Sequence, residues 1–263
     1  MSTYSPFSAK QLLPQEEKLE IAKHKSELFI GIPKETSYQE RRICLTPDAV
    51  SSLVNHGHRV MVECGAGKNA SFSDKDYSDA GAEVTHDTKK IFSCPIILKV
   101  EPPTLEEIDM MNMEAILISA IQLKTQKKEY FEAITKKKIT SLAFEFIKDS
   151  DGSYPAVKSL SEIAGTASVL IAAELMINNN DGKGLLFGNI TGVPPTEVVI
   201  LGAGTVAEYA VRTALSLGAN VKVFDNSITK LRRLQNTLNQ RIFTSTIHDK
   251  ALLKAIRRCD VAI

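Results

Sequence analysis

No two cysteines in this 263-residue chain have C-x-x-C spacing. None of the four, Cys44, Cys64, Cys94 and Cys259, stands near a histidine at zinc-ligand spacing. Four thiols in a chain of this length do not make a disulfide framework. They are expected to be reduced and mostly packed, as in a cytoplasmic protein, and no metal site is expected. Charge excess is also missing: 32 Lys+Arg face 31 Asp+Glu, a net charge of +1. A nucleic-acid partner is therefore not expected. With a mean hydropathy of -0.07, no apolar run is expected to reach bilayer-spanning length, and no membrane partner is expected. The opening MSTYSPFSAK lacks the charged-then-apolar order of a secretory leader. There is no internal repeat and no low-complexity tract.

What is present is a globular mixture, 43% hydrophobic and 24% charged, long enough for two domains. Residues 1–26 read as an N-terminal extension, with Gln15 to Lys25 a surface helix or loose arm. From Glu27 short apolar runs alternate with helical or polar stretches: ELFIGIP, RVMVECG, PIILKVE, EAILISAI, ITSLAFEFI. Thr46-Pro47 opens a helix, with Thr as N-cap, Pro at the first helical position and Gly57 just past the end. Ser159 to Ile177 forms a long apolar helix whose Ser159 and Glu162 have capping-box spacing. The strand–helix rhythm then restarts at EVVILG and runs to DVAI. Alternation of this kind predicts the α/β class, as two parallel-sheet, Rossmann-like domains over 27–155 and 156–263. The last strand ends the chain, so the second domain is expected to be incomplete.

One motif carries most of the chemistry. Gly202-Ala203-Gly204-Thr205-Val206-Ala207 is a G-x-G-x-x-A sequence between a predicted strand and a predicted helix. Gly202 permits the tight turn, Gly204 lets a pyrophosphate approach the backbone, and Ala207 allows close helix–strand packing. Thr205 and Val206 begin the helix whose free N–H groups face the phosphates. Asp225 ends the next strand, 23 residues after Gly202, where a carboxylate accepts bonds from ribose hydroxyls and repels a 2′-phosphate. NAD is thus the expected cofactor. Lys230 and the Arg232-Arg233 pair lie close by. They could meet a phosphate or form a solvated helix face, and Lys230 is kept as a cofactor-side candidate.

The ordered set IGIPKET…RRICLTPDAV, HGHRVMVECGAGKNASFSDKDYSDAGAEV, SLAFEF, SEIAG and VVILGAGTVA resembles the alanine dehydrogenase/pyridine nucleotide transhydrogenase family, from about Leu28 to the end. It looks most like an alanine dehydrogenase. The resemblance implies a substrate domain followed by a nucleotide domain, with the active site in the cleft. The implied reaction is reversible oxidative deamination of L-alanine to pyruvate and ammonia with NAD, by a homo-oligomer in the cytoplasm. It also implies that Arg42 clamps the substrate carboxylate, which suits a guanidinium fork. Ser161, in the SEIAG segment, is taken with the cofactor-binding residues.

Two positions depart from the family. Its substrate-binding lysine falls on Glu101 and its catalytic histidine on Gln122. A carboxylate beside Arg42 would repel a substrate carboxylate or occupy the arginine, and Gln122 cannot shuttle a proton near neutral pH. Lys99, two residues before Glu101 and on the same strand face, is the candidate replacement cation. Lys34 and Tyr38 could line a pocket or sit in solvent. His24, His56, His58, His86 and His248 are assigned no catalysis. The alternatives are a relative acting on another amino or keto acid, a transhydrogenase-like NAD(H)-binding subunit, whose kind also lacks the lysine and histidine, and a nucleotide sensor without turnover.

Overall fold

The structure is a computed structural model that describes residues 27–180, 182–238 and 240–263. The extension expected over residues 1–26 lies outside the described residues. The chain divides into two compact units between Leu142 and Ala143.

The first unit contains β1 (Phe29–Ile32), α1 (Pro47–Asn55), β2 (Arg59–Glu63), α2 (Asp74–Asp79), β3 (Glu83–Thr85), α3 (Thr88–Phe92), β4 (Ile96–Leu98), α4 (Leu105–Met110), β5 (Ile116–Ser119), α5 (Lys128–Lys136) and β6 (Thr140–Ala143). Its sheet runs in the order β3-β2-β1-β4-β5-β6. β1 pairs in parallel with both β2 and β4, so the strand order reverses between β1 and β4. Ligands bind outside the carboxyl ends of the strands at such a reversal. The helix ends are set by local chemistry. The Thr46 hydroxyl accepts from Ala49 N–H to start α1, and Gly57 follows it at φ +86°. Thr104 and Glu107 form a capping box on α4. Ile30, Ile32, Val60 and Val62 alternate onto a core with Val50 and Tyr77.

The sequence reading passes over α2, β3 and α3 as one polar segment. β3 is an edge strand of three residues, too short to show a hydrophobic rhythm. The expected strand ITSLAFEFI is also shorter than it reads: β6 ends at Ala143 and a 3-10 turn over Phe144–Phe146 follows.

The second unit contains α6 (Pro155–Met176), β7 (Glu197–Leu201), α7 (Thr205–Ser216), β8 (Asn220–Phe224), α8 (Ile228–Thr237), β9 (Phe243–Ser245), α9 (Asp249–Ile256) and β10 (Val261–Ala262). Its sheet order is β10-β7-β8-β9, with parallel pairing throughout. Val198, Ile200, Val221 and Val223 pack under Ala207, Ala210, Val211 and Ala214 of α7 and Val169 of α6.

α6 differs from expectation in two ways. It begins at Pro155, a residue preset for the first helical turn, and Ser159 lies inside the helix with its hydroxyl bonded to Pro155 O. The capping box expected at Ser159 is therefore not formed. The helix is also 22 residues long and, by length and composition, apolar enough to cross a membrane. The sequence hides this because polar Ser, Thr and Glu residues interrupt the run. Here α6 lies against α7, and the contact closes at Gly165. A Cβ at that position would fall on the Val206 carbonyl oxygen and within 3.0 Å of Ala210 N.

That crossing predicts the sign of Gly165→Ala. Alanine gains about 1 kcal/mol of helix propensity. Overpacking against backbone costs about 1–3 kcal/mol, because a main-chain oxygen cannot swing aside as a flexible side chain can. The variant should unfold at a lower denaturant midpoint. A raised midpoint would show that the two helices separate without cost.

Candidate functional site

At the carboxyl ends of β1, β4 and β5 lies a cluster of charged side chains. Its base is buried. Lys99, directly after β4, is 1% exposed, and its Nζ donates to Glu35 Oε2 at 2.8 Å. Glu107 lies 3.7 Å from the same Nζ. Glu35, in the loop that leaves β1, also accepts from Val100 N–H at 2.6 Å and Glu101 N–H at 3.4 Å. One carboxylate thus ties the exit of β1 to the exit of β4. Burial pushes the Glu107 carboxyl above its ordinary range, against the pull of the Thr104 N–H and Lys99.

Above this base sit Glu40, Arg42, Glu101 and Gln122. Arg42 grips Glu40 with a two-point fork, Nε to Oε1 at 2.8 Å and Nη2 to Oε2 at 2.6 Å. The fork holds the Glu40 carboxyl down at about 2. Nη2 is also 3.5 Å from Glu101 Oε1. Glu101 Oε2 accepts from Gln122 Nε2 at 2.8 Å. Gln122 Oε1 in turn faces Thr125 Oγ1 at 3.5 Å, which aims the amide N–H at Glu101. Burial, then the neighbouring Glu40, raises the Glu101 carboxyl. Gln122 is held at φ +52°, a left-handed backbone that non-glycine residues rarely adopt. Such strain clusters at functional sites.

The expected substrate-side residues Arg42, Glu101 and Gln122 therefore come together. Lys99 does not join them as a free cation: it is sealed beneath, in ion pairs with two carboxylates. Its burial follows from its place between a core strand and α4. Tyr38 is 91% exposed, and Lys34 donates its backbone N–H to Glu63 Oε2. Glu35 and Glu40 were not singled out in the sequence. The signal was present as two acids between a buried strand and the candidate arginine. The Cys44 thiol, next in chain but one to Arg42, is pushed up to about 12, chiefly by burial, which leaves it no nucleophile.

The second cluster belongs to the other unit. The turn between β7 and α7 has Gly202 at φ +111°, which needs glycine. Gly204 is the N-cap of α7, with no side chain capping the helix and nothing within 4 Å of where a Cβ would stand. The N–H groups of Thr205 and Val206 in the first turn have no partners further up the helix. Ala207 is buried against the sheet. Asp225 Oδ2 accepts from Ala203 N–H at 2.8 Å and Oδ1 from Ser227 N–H at 2.6 Å. The Ser227 N–H, then the Ala203 N–H, hold its carboxyl below the usual range against burial. Lys230 lies in the first turn of α8, exposed, with its backbone N–H on Ser227 Oγ. Ser161 lies on α6 one turn before Gly165, the residue that touches α7. An open turn and an uncapped helix start suit a pyrophosphate, and an acid beside them suits ribose hydroxyls.

These features define a two-unit α/β protein of the dinucleotide-fold type, with a guanidinium–carboxylate cluster on the first unit. Comparison with known proteins specifies it further. The alanine dehydrogenase/PNT N-terminal domain matches residues 31–164, and the corresponding C-terminal domain matches residues 168–263. The chain belongs to the alanine dehydrogenase/pyridine nucleotide transhydrogenase family. It is 34% identical to an alanine dehydrogenase of Mycolicibacterium smegmatis over 237 residues, covering 90% of this chain and 64% of that protein. A solved L-alanine dehydrogenase superposes with a TM-score of 0.80 at 34% identity, over 89% of this chain and 65% of the other. A transhydrogenase from Sinorhizobium meliloti follows at 0.73 and 25% identity, over 89% and 68%. The chain thus spans just under two thirds of the length of the curated relatives it matches.

The buried base gives a stability test. Lys99→Met leaves Glu35 and Glu107 without their cation in a site closed to water. The expected loss is about 3–5 kcal/mol in denaturant unfolding. Neutralising the stranded charge by adding Glu35→Gln should recover part of it, so the two losses will not add. A Lys99→Met protein of unchanged stability would show that the ion pairs carry no structural weight.

Proposed function

We propose that this chain is the substrate- and nucleotide-binding part of an NAD-dependent amino-acid dehydrogenase of the alanine dehydrogenase type. The reaction is L-alanine with NAD and water giving pyruvate, ammonium, NADH and a proton. The observation that carries this reading is the presence on one chain of Arg42, at the strand reversal of the first sheet, and an open glycine turn ahead of α7. Gly202, Gly204 and the first-turn N–H groups of Thr205 and Val206 would hold the pyrophosphate, with Ala207 keeping α7 close to the sheet. Asp225 has lone pairs beyond those given to Ala203 and Ser227, and these would take the ribose hydroxyls. Lys230 and Ser161 belong to the same proposal as flanking groups. When bound, NAD supplies the hydride acceptor. Arg42 would hold the substrate carboxylate. Its fork to Glu40 uses the Nε–Nη2 edge and leaves the Nη1 edge for a ligand. A homo-oligomeric, cytoplasmic enzyme is part of this reading.

A second reading is favoured by one residue. Gln122 carries no titratable proton where the family's dehydrogenases have histidine. That suits a subunit which binds NAD(H) and passes hydride to a partner's NADP. The discriminating assay is NADH formation from L-alanine and NAD by purified protein. Alanine-dependent NADH supports the dehydrogenase. Hydride transfer only with an NADP-binding partner protein would replace it with the transhydrogenase reading.

The glycine turn has its own test. A Cβ at Gly204 has nothing within 4 Å of it, and the φ of -84° is ordinary for any residue. Gly204→Val should therefore keep its thermal midpoint while NAD binding falls at least about tenfold, since the branched side chain stands where the phosphates approach. Unchanged NAD affinity would remove the turn from the cofactor site.

A further inference from the structure

The dehydrogenase reading leaves Glu101 as an unfavourable feature, a negative charge beside the arginine meant for a carboxylate. The geometry gives it a use. One guanidinium faces two acids, Glu40 and Glu101, so acids outnumber bases in the cluster. Glu40 is consumed by the fork at 2.6 and 2.8 Å. Glu101 is held less tightly: it lies against the Glu40 carboxyl, its contact with Arg42 is a long 3.5 Å, and about a quarter of its side chain, 23%, is open to solvent. Gln122 fixes its other oxygen at 2.8 Å and aims the carboxylate. Arg42, 47% exposed, stands next to it. An α-amino acid carries its carboxylate and its ammonium on one carbon. A receiver for it needs a cation and an anion side by side, which is the arrangement of Arg42 and Glu101. A keto acid has the carboxylate without the ammonium and would meet the second acid with nothing to offer it.

We propose that Glu101 is a specificity-determining residue that receives the substrate's ammonium group, oriented by Gln122, while Arg42 receives the carboxylate, so that the site selects the zwitterionic amino acid over the keto acid. This rests on the dehydrogenase reading for the identity of the ligand pair. It is supported by the electrostatic state of Glu101. Burial and Glu40 both disfavour its charge, and an incoming cation relieves that penalty. Lys99 cannot offset it from below, being already matched by Glu35 and Glu107.

The test is calorimetric titration of the full chain with L-alanine and, separately, with pyruvate, in the native protein, Glu101→Gln and Glu101→Lys. The native chain should bind L-alanine the more tightly. Glu101→Gln keeps the shape and the bond to Gln122 but removes the charge. It should weaken L-alanine by about tenfold or more and leave pyruvate unchanged or tighter. Glu101→Lys should invert the order. Equal losses for both ligands, no loss for either, tighter L-alanine with lysine, or no binding of either ligand by the native chain would each overturn the assignment. The outcome is separable from turnover. A split in affinities without NADH formation sinks the dehydrogenase reading alone. NADH formation without the split sinks the role of Glu101 alone.

Discussion

A single carboxylate, Glu35, holds the first unit's functional end together. Two parallel strands that diverge at a reversal leave their exits unpaired, since the chain leaves the sheet in different directions. Glu35 closes that gap. It accepts backbone N–H groups from Val100 and Glu101 and the ammonium of Lys99. A buried carboxylate is tolerated only with this many partners, and a buried lysine only with a carboxylate against it. The pair therefore specifies a position as much as it adds stability. It fixes where the backbone of Glu101 emerges, and through it the distance from Glu101 to Arg42.

The second unit uses the same device. Asp225, at the exit of β8, accepts the N–H of Ala203 at the exit of β7, and that of Ser227 ahead of α8. In both units an acid just past one strand secures the turn past its neighbour. The consequences differ because the third partners differ. Glu35 is sealed by a lysine and has no role beyond the frame. Asp225 accepts its hydrogen bonds from backbone donors among the described residues, stays partly exposed and keeps acceptor capacity for a ligand.

How much of this could be read in advance follows the same physics. The G-x-G-x-x-A turn and Asp225 were legible because local sequence sets them: a positive φ at Gly202, a helix start at Gly204, an acid at the end of the next strand. α1 was legible through Thr46, Pro47 and Gly57. Arg42, Glu101 and Gln122 were found through a family resemblance, and the structure brings them into one cluster. Lys99 was misjudged because strand periodicity gives the face of a side chain and not its depth. α4 covers that face and presents Glu107, which no pattern in the strand reveals. Gly165 was illegible for a similar reason, since its close approach to Val206 exists only once two helices cross. β3 and its flanking helices were lost because three edge residues cannot display a period.

The departures at positions 101 and 122 are better understood as one change than as two. Gln122 presents an amide N–H donor, and Glu101 presents the acceptor that satisfies it. A lysine at 101 would need the Gln122 amide turned over, with its Oε1 toward the ammonium and away from Thr125. A histidine at 122 facing Glu101 would be drawn to its charged form by the carboxylate and would lose the neutral form a general base requires. The residues that the resemblance places at 101 and 122 would each require the neighbour to change its state, whereas Glu101 and Gln122 fit one another. Arg42 takes its two-point partner, Glu40, from outside this pair. The fork to Glu40 holds the arginine, and the side chain that stands next to that fork in this chain is an acid and not a base.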